Sequence, residues 1–255
     1  VWRTGEDAAA TLEGGARGRV VRVAVSRDGA RAVTVSEGGA LTLWDTASGR
    51  VVGELPHTGA VPCVAFAPDG ASVVVGLSGG PSGMALGVWR GGDGGWRSLA
   101  PGDAEVRSLH ASEDGGRLAT THADGTAAVW SLPSGTRLLR VQAAGKAFTD
   151  AALSPDGGRL ATACDDRTAA VWTIRPTGTM LAPLDADAPV TGLTFSADGA
   201  RLAVTTDAAP VRVWDLRERT PPLALRGDGA MAPRVQFTPG GAQVLTLRED
   251  GVGVW

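Results

Sequence analysis

Three histidines, His57, His110 and His122, are the residues of this chain that could most readily transfer protons or bind a metal. A hydrolytic triad or a metal centre needs such groups to converge with carboxylates or other ligands. His57 lies in a loop before an apolar run, His110 lies within an apolar run, and His122 begins the turn 122–125. This spacing predicts no convergence, so we interpret all three as structural or surface residues.

Cysteines, glycine-rich stretches and aspartate pairs predict no cofactor site. Cys63 and Cys164 form no CxxC motif, and we interpret them as small buried apolar residues. The glycine-rich stretches 79–83 and 91–95 open no helix, whereas a phosphate cradle needs backbone N–H groups focused at a helix start. Pairs such as Asp165-Asp166 lack the ligand series of a calcium loop. We therefore expect neither a metal nor a cofactor.

Tryptophan recurs along the chain at a nearly constant interval. Successive members of the series are 42, 45, 41, 42, 42 and 41 residues apart, and each follows a valine or a leucine. A repeat of this length that ends in an apolar strand predicts propeller blades, which bury one another's apolar faces. The series is Trp2, Trp44, Trp89, Trp130, Trp172, Trp214 and Trp255.

A short turn precedes six of these tryptophans and keeps phase with them. It reads Asp-Gly in five copies, beginning with Asp28-Gly29, and Gly240-Gly241 in the last. Asp-Gly between two β-rich runs is a strong hairpin signal, because glycine accepts a positive φ without strain. Two signals in phase over six copies predict antiparallel hairpins in every repeat.

The fourth repeat shows the full pattern of a blade. Residues 148–153, 159–163 and 168–172 alternate with turn signals and predict three strands. Residues 179–184 predict an outer strand, where Pro183 is tolerated because its missing N–H can face solvent. Each repeat is therefore predicted to form one four-stranded antiparallel sheet.

These motifs resemble the WD-repeat β-propeller family over essentially the whole chain. Trp44-Asp45 and Trp214-Asp215 are literal Trp-Asp pairs, and His57 with the apolar run after it resembles the family's histidine loop. The resemblance implies a buried hydrogen-bonded tetrad in each blade, formed by a loop histidine, a Ser/Thr on the second strand, a turn aspartate and the tryptophan. Such a network is stabilising only when every member is satisfied.

No repeat supplies the whole tetrad. Repeats three and four lack the loop histidine, and repeat two has Val75 at the hydroxyl position. We therefore expect hydrophobic packing around the tryptophans to provide more of the stability. The residues that do match are Thr120, Asp124 and Trp130 in repeat three, Thr162, Asp166 and Trp172 in repeat four, and His57 and Trp89 in repeat two.

The predicted fold is all-β, a WD-repeat-type β-propeller built from six sequence repeats of four-stranded antiparallel blades in a single domain, 1–255. The chain begins with the Val-Trp that ends the other repeats, so we expect a fragment of a longer protein. Residues 8–14 resemble an outer strand that could complete the last blade and remove an exposed edge. The repeats, counted to each tryptophan, are 3–44, 45–89, 90–130, 131–172, 173–214 and 215–255.

The amino-acid composition and net charge limit the classes of partner that we expect this chain to bind. The net charge of −3 lacks the basic character of nucleic-acid binders, and no run of 18 apolar residues could span a membrane. Arginine greatly outnumbers lysine, whose single member is Lys146, and asparagine and tyrosine are absent. This usage indicates a high-GC genome, and we expect a bacterial, cytoplasmic protein.

Residues that vary within the constant frame are the candidate partner-binding positions. Just before each first strand's apolar core stand pairs of variable residues, which in a propeller ring one mouth of the central channel. Arginine occupies or adjoins this position in three repeats, which favours an acidic protein or peptide partner. The candidates are Arg22, Arg107, Thr149, Asp150 and Arg234, together with Trp96, an out-of-phase aromatic that either packs on a blade or anchors a partner.

The predicted function is a non-catalytic protein–protein interaction scaffold or sensor module of a larger bacterial protein. The resemblance implies this role, because such propellers commonly serve as binding modules fused to signalling or NTPase domains. Two alternatives stay open at this point. One is a propeller hydrolase or lyase, which would need histidines and carboxylates gathered at the channel mouth, and the other is a small-ligand binder that uses the channel.

Overall fold

The structure is a computed structural model that describes most of the chain. Side chains are not described at residues 78–80, 83–85, 100–101, 182, 234 and 247–248. The described residues are 18–55, 59–80, 83–91, 95–101, 104–132, 134–142, 146–174, 178–207, 210–218, 220–225, 234–238, 240–248 and 251–255.

The first compact unit of the chain, Val1–Ala111, contains two complete sheets. Each sheet is four-stranded and antiparallel, and its strands follow one another in sequence order. The strands are β1 (Val20–Val25), β2 (Arg31–Ser36), β3 (Leu41–Asp45), β4 (Val51–Leu55), β5 (Cys63–Phe66), β6 (Ser72–Gly80), β7 (Gly83–Arg90), β8 (Trp96–Pro101) and β9 (Val106–Ala111).

The second unit, Ser112–Trp255, contains three strands of the third sheet, whose first strand is β9, and all of the later sheets. Its strands are β10 (Arg117–His122), β11 (Thr126–Ser131), β12 (Arg137–Gln142), β13 (Phe148–Leu153), β14 (Arg159–Cys164), β15 (Thr168–Thr173), β16 (Met180–Asp185), β17 (Val190–Phe195), β18 (Arg201–Thr206), β19 (Val211–Asp215), β20 (Leu223–Leu225), β21 (Arg234–Phe237), β22 (Val244–Arg248) and β23 (Gly251–Val254). Strands β9–β12, β13–β16 and β17–β20 form four-stranded sheets, and β21–β23 form a three-stranded sheet.

The predicted fold class is confirmed. Throughout the described residues the regular structure is β-strand, arranged in six antiparallel sheets with the strand order of propeller blades. In the fourth repeat the four strands lie within two residues of their predicted bounds, and Pro183 lies on the outer strand. The last sheet has three described strands instead of the predicted four. Residues 8–14, which we expected to complete it, lie outside the described residues, as do Trp2 and His57.

The sheets do not coincide with the repeats counted to each tryptophan. A sheet ends with the outer strand that follows its tryptophan, so β4 belongs with Trp44 although we counted it in the second repeat. The assignment of 1–255 to a single domain stays a prediction.

The turn between the first two strands of a sheet is held by a serine and an aspartate. In the first sheet, Ser26 Oγ donates to Asp28 Oδ1 at 2.7 Å, and the Ala30 N–H donates to the same oxygen at 3.0 Å. Gly29 has a φ of 70°, which the reversal requires. Equivalent Ser–Asp contacts occur at Ser112–Asp114, Ser154–Asp156 and Ser196–Asp198.

The core lies mainly on the second and third strands of the four-stranded sheets. Strand β2 is buried at five of its six residues, and β11 likewise. Alternation is lost on these strands because both faces of the sheet are covered. The tryptophans Trp44, Trp89, Trp130 and Trp214 are buried, with Trp172 at intermediate exposure.

Candidate interaction surface

The first strand of each sheet contacts the first strand of the next within each unit. In the first unit β1 contacts β5, and β5 contacts β9. In the second unit β13 contacts β17, and β17 contacts β21. The candidates Arg22, Arg107, Thr149, Asp150 and Arg234 lie near the beginning of these strands, whereas Trp96 lies on an outer strand. Within each unit the two first strands that bear candidates are separated by the first strand of one intervening blade.

A β-bulge sets the direction of one residue in three of these strands. The pairing with the second strand shifts register between Val20 and Arg22, between Phe148 and Asp150, and between Val190 and Gly192. The extra residues are Val21, Thr149 and Thr191, and all three are exposed. A bulge leaves one residue out of the ladder and redirects its side chain. Sequence periodicity alone could not reveal it, because a bulge moves only one residue out of the strand alternation.

Side chains at the bulge bond to the following blade. Arg22 Nε donates to the Val61 carbonyl oxygen at 3.1 Å, and Thr149 Oγ1 lies 3.5 Å from the Val190 carbonyl oxygen. In the second blade the Cys63 thiol faces the Val106 carbonyl oxygen at 3.8 Å. Val106 and Val190 begin the first strands of their own blades, and Val61 precedes the first strand of its blade by two residues. Arg22 and Thr149 therefore help to join blades as well as facing solvent.

Arg107 is the candidate cation with the freest side chain. It is exposed on β9, and its side chain makes no hydrogen bond or ion pair with a described residue. Asp150 has an intermediate exposure, and its carboxylate accepts the Ala151 N–H at 2.9 Å. Arg234 begins β21, but its side chain is outside the described part.

Trp96 lies on the outer strand β8, directly opposite Trp89. Its ring packs against the apolar cluster of the first unit at intermediate exposure. A Cβ atom at Gly87 would overlap the Trp96 ring. Because Gly87 has no side chain, the indole of Trp96 packs directly against it. This contact accounts for a tryptophan outside the regular series.

His122 completes a polar network that the sequence had led us to consider incomplete. Trp130 Nε1 donates to Thr120 Oγ1 at 2.9 Å, and Thr120 Oγ1 lies 3.2 Å from His122 Nε2. His122 Nδ1 lies 3.1 Å from Thr126 Oγ1, which donates to Asp124 Oδ1 at 2.7 Å. The histidine thus comes from the blade's own second strand and not from a preceding loop, which is why a search for a loop histidine missed it.

The tryptophan–threonine contact recurs where the second strand offers a hydroxyl. Trp44 donates to Thr34 and Trp172 to Thr162, each at 2.9 Å. Trp255 donates to Thr246 at 3.1 Å. In the fourth blade Asp166 accepts from Thr168, and Cys164 occupies the position that His122 has in the third.

A ladder of arginines that sequence reasoning missed joins successive blades of the second unit. Arg159 Nη1 donates to the Gly199 carbonyl oxygen at 3.3 Å, and Arg201 Nη2 donates to that of Gly241 at 2.7 Å. Arg117 makes the same contact with Gly157. Donor and acceptor are 40 residues apart in each case. The arginine that begins four of the six second strands, Arg31, Arg117, Arg159 and Arg201, was the available signal.

Among the described residues, the shifts in pKa arise from burial and from interactions within the fold. Burial raises the pKa of the Cys63 thiol to about 12. A hydrogen bond from Ser154 is the largest cause that holds the pKa of Asp156 below its ordinary value. Burial lowers the pKa of His122, although nearby Asp124 opposes the shift. Among the described residues no group of three or more His, Cys, Asp or Glu could hold a metal ion. No helix in the described part of the chain is long and apolar enough to cross a membrane.

A comparison with known protein families shows which sequence repeat these sheets contain. Three segments, 49–82, 97–131 and 136–173, match the sequence model of the WD domain, G-beta repeat. The chain contains WD repeats. Each matched segment runs from the outer strand of one sheet, or the connection before it, into the next sheet, so the WD-repeat period crosses from blade to blade.

One curated relative is similar to part of this chain. The rat (Rattus norvegicus) telomerase protein component 1 is 32% identical over 105 residues, which is 41% of this chain. The chain spans only 4% of that protein's length. WD repeats support a role in protein interaction, and proteins built from them are generally non-catalytic.

Proposed function

We propose that this chain is a non-catalytic interaction scaffold or sensor module of a larger protein, formed as one propeller domain over residues 1–255. The observation that supports the proposal best is Arg107, an exposed cation on a rigid first strand whose side chain no described residue engages. A side chain that neither packs nor pairs within its own blade is available to a partner.

The proposed partner is an acidic protein segment. Arg22 lies at the equivalent end of β1, on the far side of β5 from Arg107. Arg22 uses Nε for the Val61 carbonyl, which leaves the remaining guanidinium N–H groups for a carboxylate. In a closed ring Arg234 would join them, with Thr149 and Asp150 on the same rim. Arginine is suited to this role because its planar donors bind carboxylates in pairs.

The test is partner capture with a triple variant, R22A/R107A/R234A, beside the wild-type chain. Captured proteins are quantified at low and moderate salt. We expect the variant to lose the partners whose capture by the wild type weakens with salt. The matched control is Arg50→Ala, an exposed arginine that follows a turn after β3. Unchanged capture by the folded triple variant would place the interaction elsewhere, with the outer strand around Trp96 tested next by Trp96→Ala.

A further inference from the structure

A cleft of about 740 Å³ opens between the fourth blade of the chain, β13–β16, and the fifth, β17–β20, both in the second unit. Its wall on the fourth blade includes Leu181 and Pro183 of the outer strand β16, and its wall on the fifth includes Trp214 and Leu216. Arg159 and Arg217 also line it. The volume falls within the range of ligand sites in proteins, about 300–1,000 Å³.

The cleft exists because the outer strand of the fifth blade starts late. In four other blades the tryptophan pairs with the outer strand, as in Trp130↔Arg137 and Trp172↔Met180. In the fifth blade the last pair is Val213↔Leu223, so the edge of β19 at Trp214 is not covered by β20. Pro221 and Pro222 precede Leu223, and neither has an N–H with which to extend the ladder.

The opening changes the exposure of one apolar side chain. Leu216 donates its backbone N–H to the Ala200 carbonyl at 2.8 Å, the contact that Ile174 makes with Gly158 one blade earlier. Ile174 is fully buried, whereas Leu216 keeps an intermediate exposure and lines the cleft. In the fourth blade, where the outer strand pairs with the tryptophan, the residue at this position belongs to the core. In the fifth blade it lines the cleft and is open to a ligand.

The charges around the cleft favour an anion. Arg217 is 66% exposed, and its nearest acid is Asp198 at 3.8 Å. Arg159 uses Nη1 for the Gly199 carbonyl and has further donors. The carboxylate of Asp215 accepts the backbone N–H groups of Arg217 and Glu218 at 2.8 and 3.0 Å, so the turn engages its charge.

We propose that this cleft binds a short extended peptide with an apolar side chain beside a carboxylate. The apolar side chain lies against Leu181, Pro183 and Leu216, and the carboxylate pairs with Arg217 and Arg159. This site is separate from the first-strand surface of the proposed function, since it lies at the outer strands and uses none of those residues.

The experiment is selection of a random heptapeptide phage library on the full chain. We expect enriched sequences to place Asp or Glu next to Leu, Ile or Phe. One enriched peptide, labelled with fluorescein, is then titrated by fluorescence polarisation against the variants. Arg217→Glu should weaken binding about tenfold or more, as expected when a charge-assisted hydrogen bond is replaced by repulsion. Arg50→Glu, an exposed arginine in the equivalent turn of the first blade, should leave it unchanged.

A second variant tests the cleft without touching its charges. Changing Pro221 and Pro222 together to valine restores two N–H donors, which allows β20 to extend over Trp214. We expect this variant to stay folded and to lose the peptide. Failure to enrich any peptide, a basic consensus, or full binding by either Arg217→Glu or the double valine variant would overturn the proposal, as would an equal loss with Arg50→Glu.

Discussion

Thr126 Oγ1 lies 2.7 Å from Asp124 Oδ1, and this contact determines which nitrogen of His122 holds the proton. A carboxylate only accepts, so the threonine hydroxyl must donate to it. The same hydroxyl then accepts from His122 Nδ1–H, which leaves Nε2 to accept from Thr120. Hydrogen bonds therefore run from Trp130 to Asp124, whose other oxygen receives Arg140 at 3.0 Å.

His122 is expected to make stability sensitive to mild acid. Burial holds its pKa below the value of the unfolded chain, about 6.5. The unfolded state therefore binds the proton first as the pH falls, and stability that is fully present well above pH 6.5 declines as the pH falls through and below that value. Urea unfolding of the wild type and of His122→Gln at a series of pH values measures this effect. The variant should lose the part of the pH dependence of the free energy of unfolding that His122 contributes. Nitrogen NMR should find His122 neutral with its proton on Nδ1.

The hydroxyl that accepts from the tryptophan is expected to contribute measurably. Thr120→Val leaves Trp130 Nε1 without its acceptor in a buried site, at a cost of about 1–3 kcal/mol. The fifth blade offers the reverse change, because Val204 occupies on β18 the position that Thr120 has on β10, two residues after the partner of the blade tryptophan. Val204→Thr should be neutral or stabilising. Chemical denaturation of the pair checks this, and equal destabilisation by both would show that shape at this position matters more than the hydrogen bond.

Arg201 should matter more than a surface arginine of the same sheet. Its guanidinium donates to the Gly241 carbonyl and lies over the Phe237 ring, 5.8 Å from the ring centre. Arg201→Ala should cost about 1 kcal/mol or more. Arg217→Ala, which removes only an exposed 3.8 Å ion pair, should cost less than about 0.5 kcal/mol. Thermal or urea unfolding of the two variants decides the ranking.

Both thiols should be inert in the folded protein. Cys63 and Cys164 are buried free cysteines, and burial raises the pKa of each, to about 12 for Cys63. Reaction requires the thiolate, so a thiol reagent at pH 8 should label neither in the native state. Both should react in urea. Rapid native labelling of Cys63 would contradict the burial of its side chain.

Trp96 is expected to support its blade through Gly87. Trp130→Ala should cost about 3–5 kcal/mol because it empties a buried site. Trp96→Ala should cost clearly less, since the ring is only half-buried. Gly87→Ala should also destabilise, because the methyl group overlaps the indole, and this penalty should shrink in the Trp96→Ala background. Denaturant titrations of Gly87→Ala, Trp96→Ala and the double variant provide the double-mutant cycle that measures this coupling.

The sequence predicted the architecture well because its signals are local and repeated. Asp28-Gly29 and its copies specify hairpins through their own backbone chemistry, and the tryptophan period specifies the sheet that each hairpin joins. Pairing inside a blade is short-range, so the fourth repeat could be read strand by strand.

Details that depend on contacts between blades were not readable in the same way. The bulge at Thr149 and the bond from Arg22 to Val61 arise where two strands from different repeats meet. The role of His122 was missed because the resemblance directed attention to a loop histidine, whereas the side chain reaches Trp130 through a threonine on its own strand. The cleft depends on Pro221 and Pro222, whose effect appears only when the strand opposite Trp214 is seen to start late.

The arginine ladder also bears on how such a chain can lengthen. The fourth and fifth blades each supply a donor to the next blade, Arg159 and Arg201, and present a turn carbonyl to the one before, Gly157 and Gly199. One repeat therefore encodes both halves of the joint, a carbonyl at Gly157 and a donor at Arg159, and each half meets its partner 40 residues away in a neighbouring repeat. A tandem duplication of that stretch of gene would produce a blade that already fits its own copy, without any compensating mutation at the new junction.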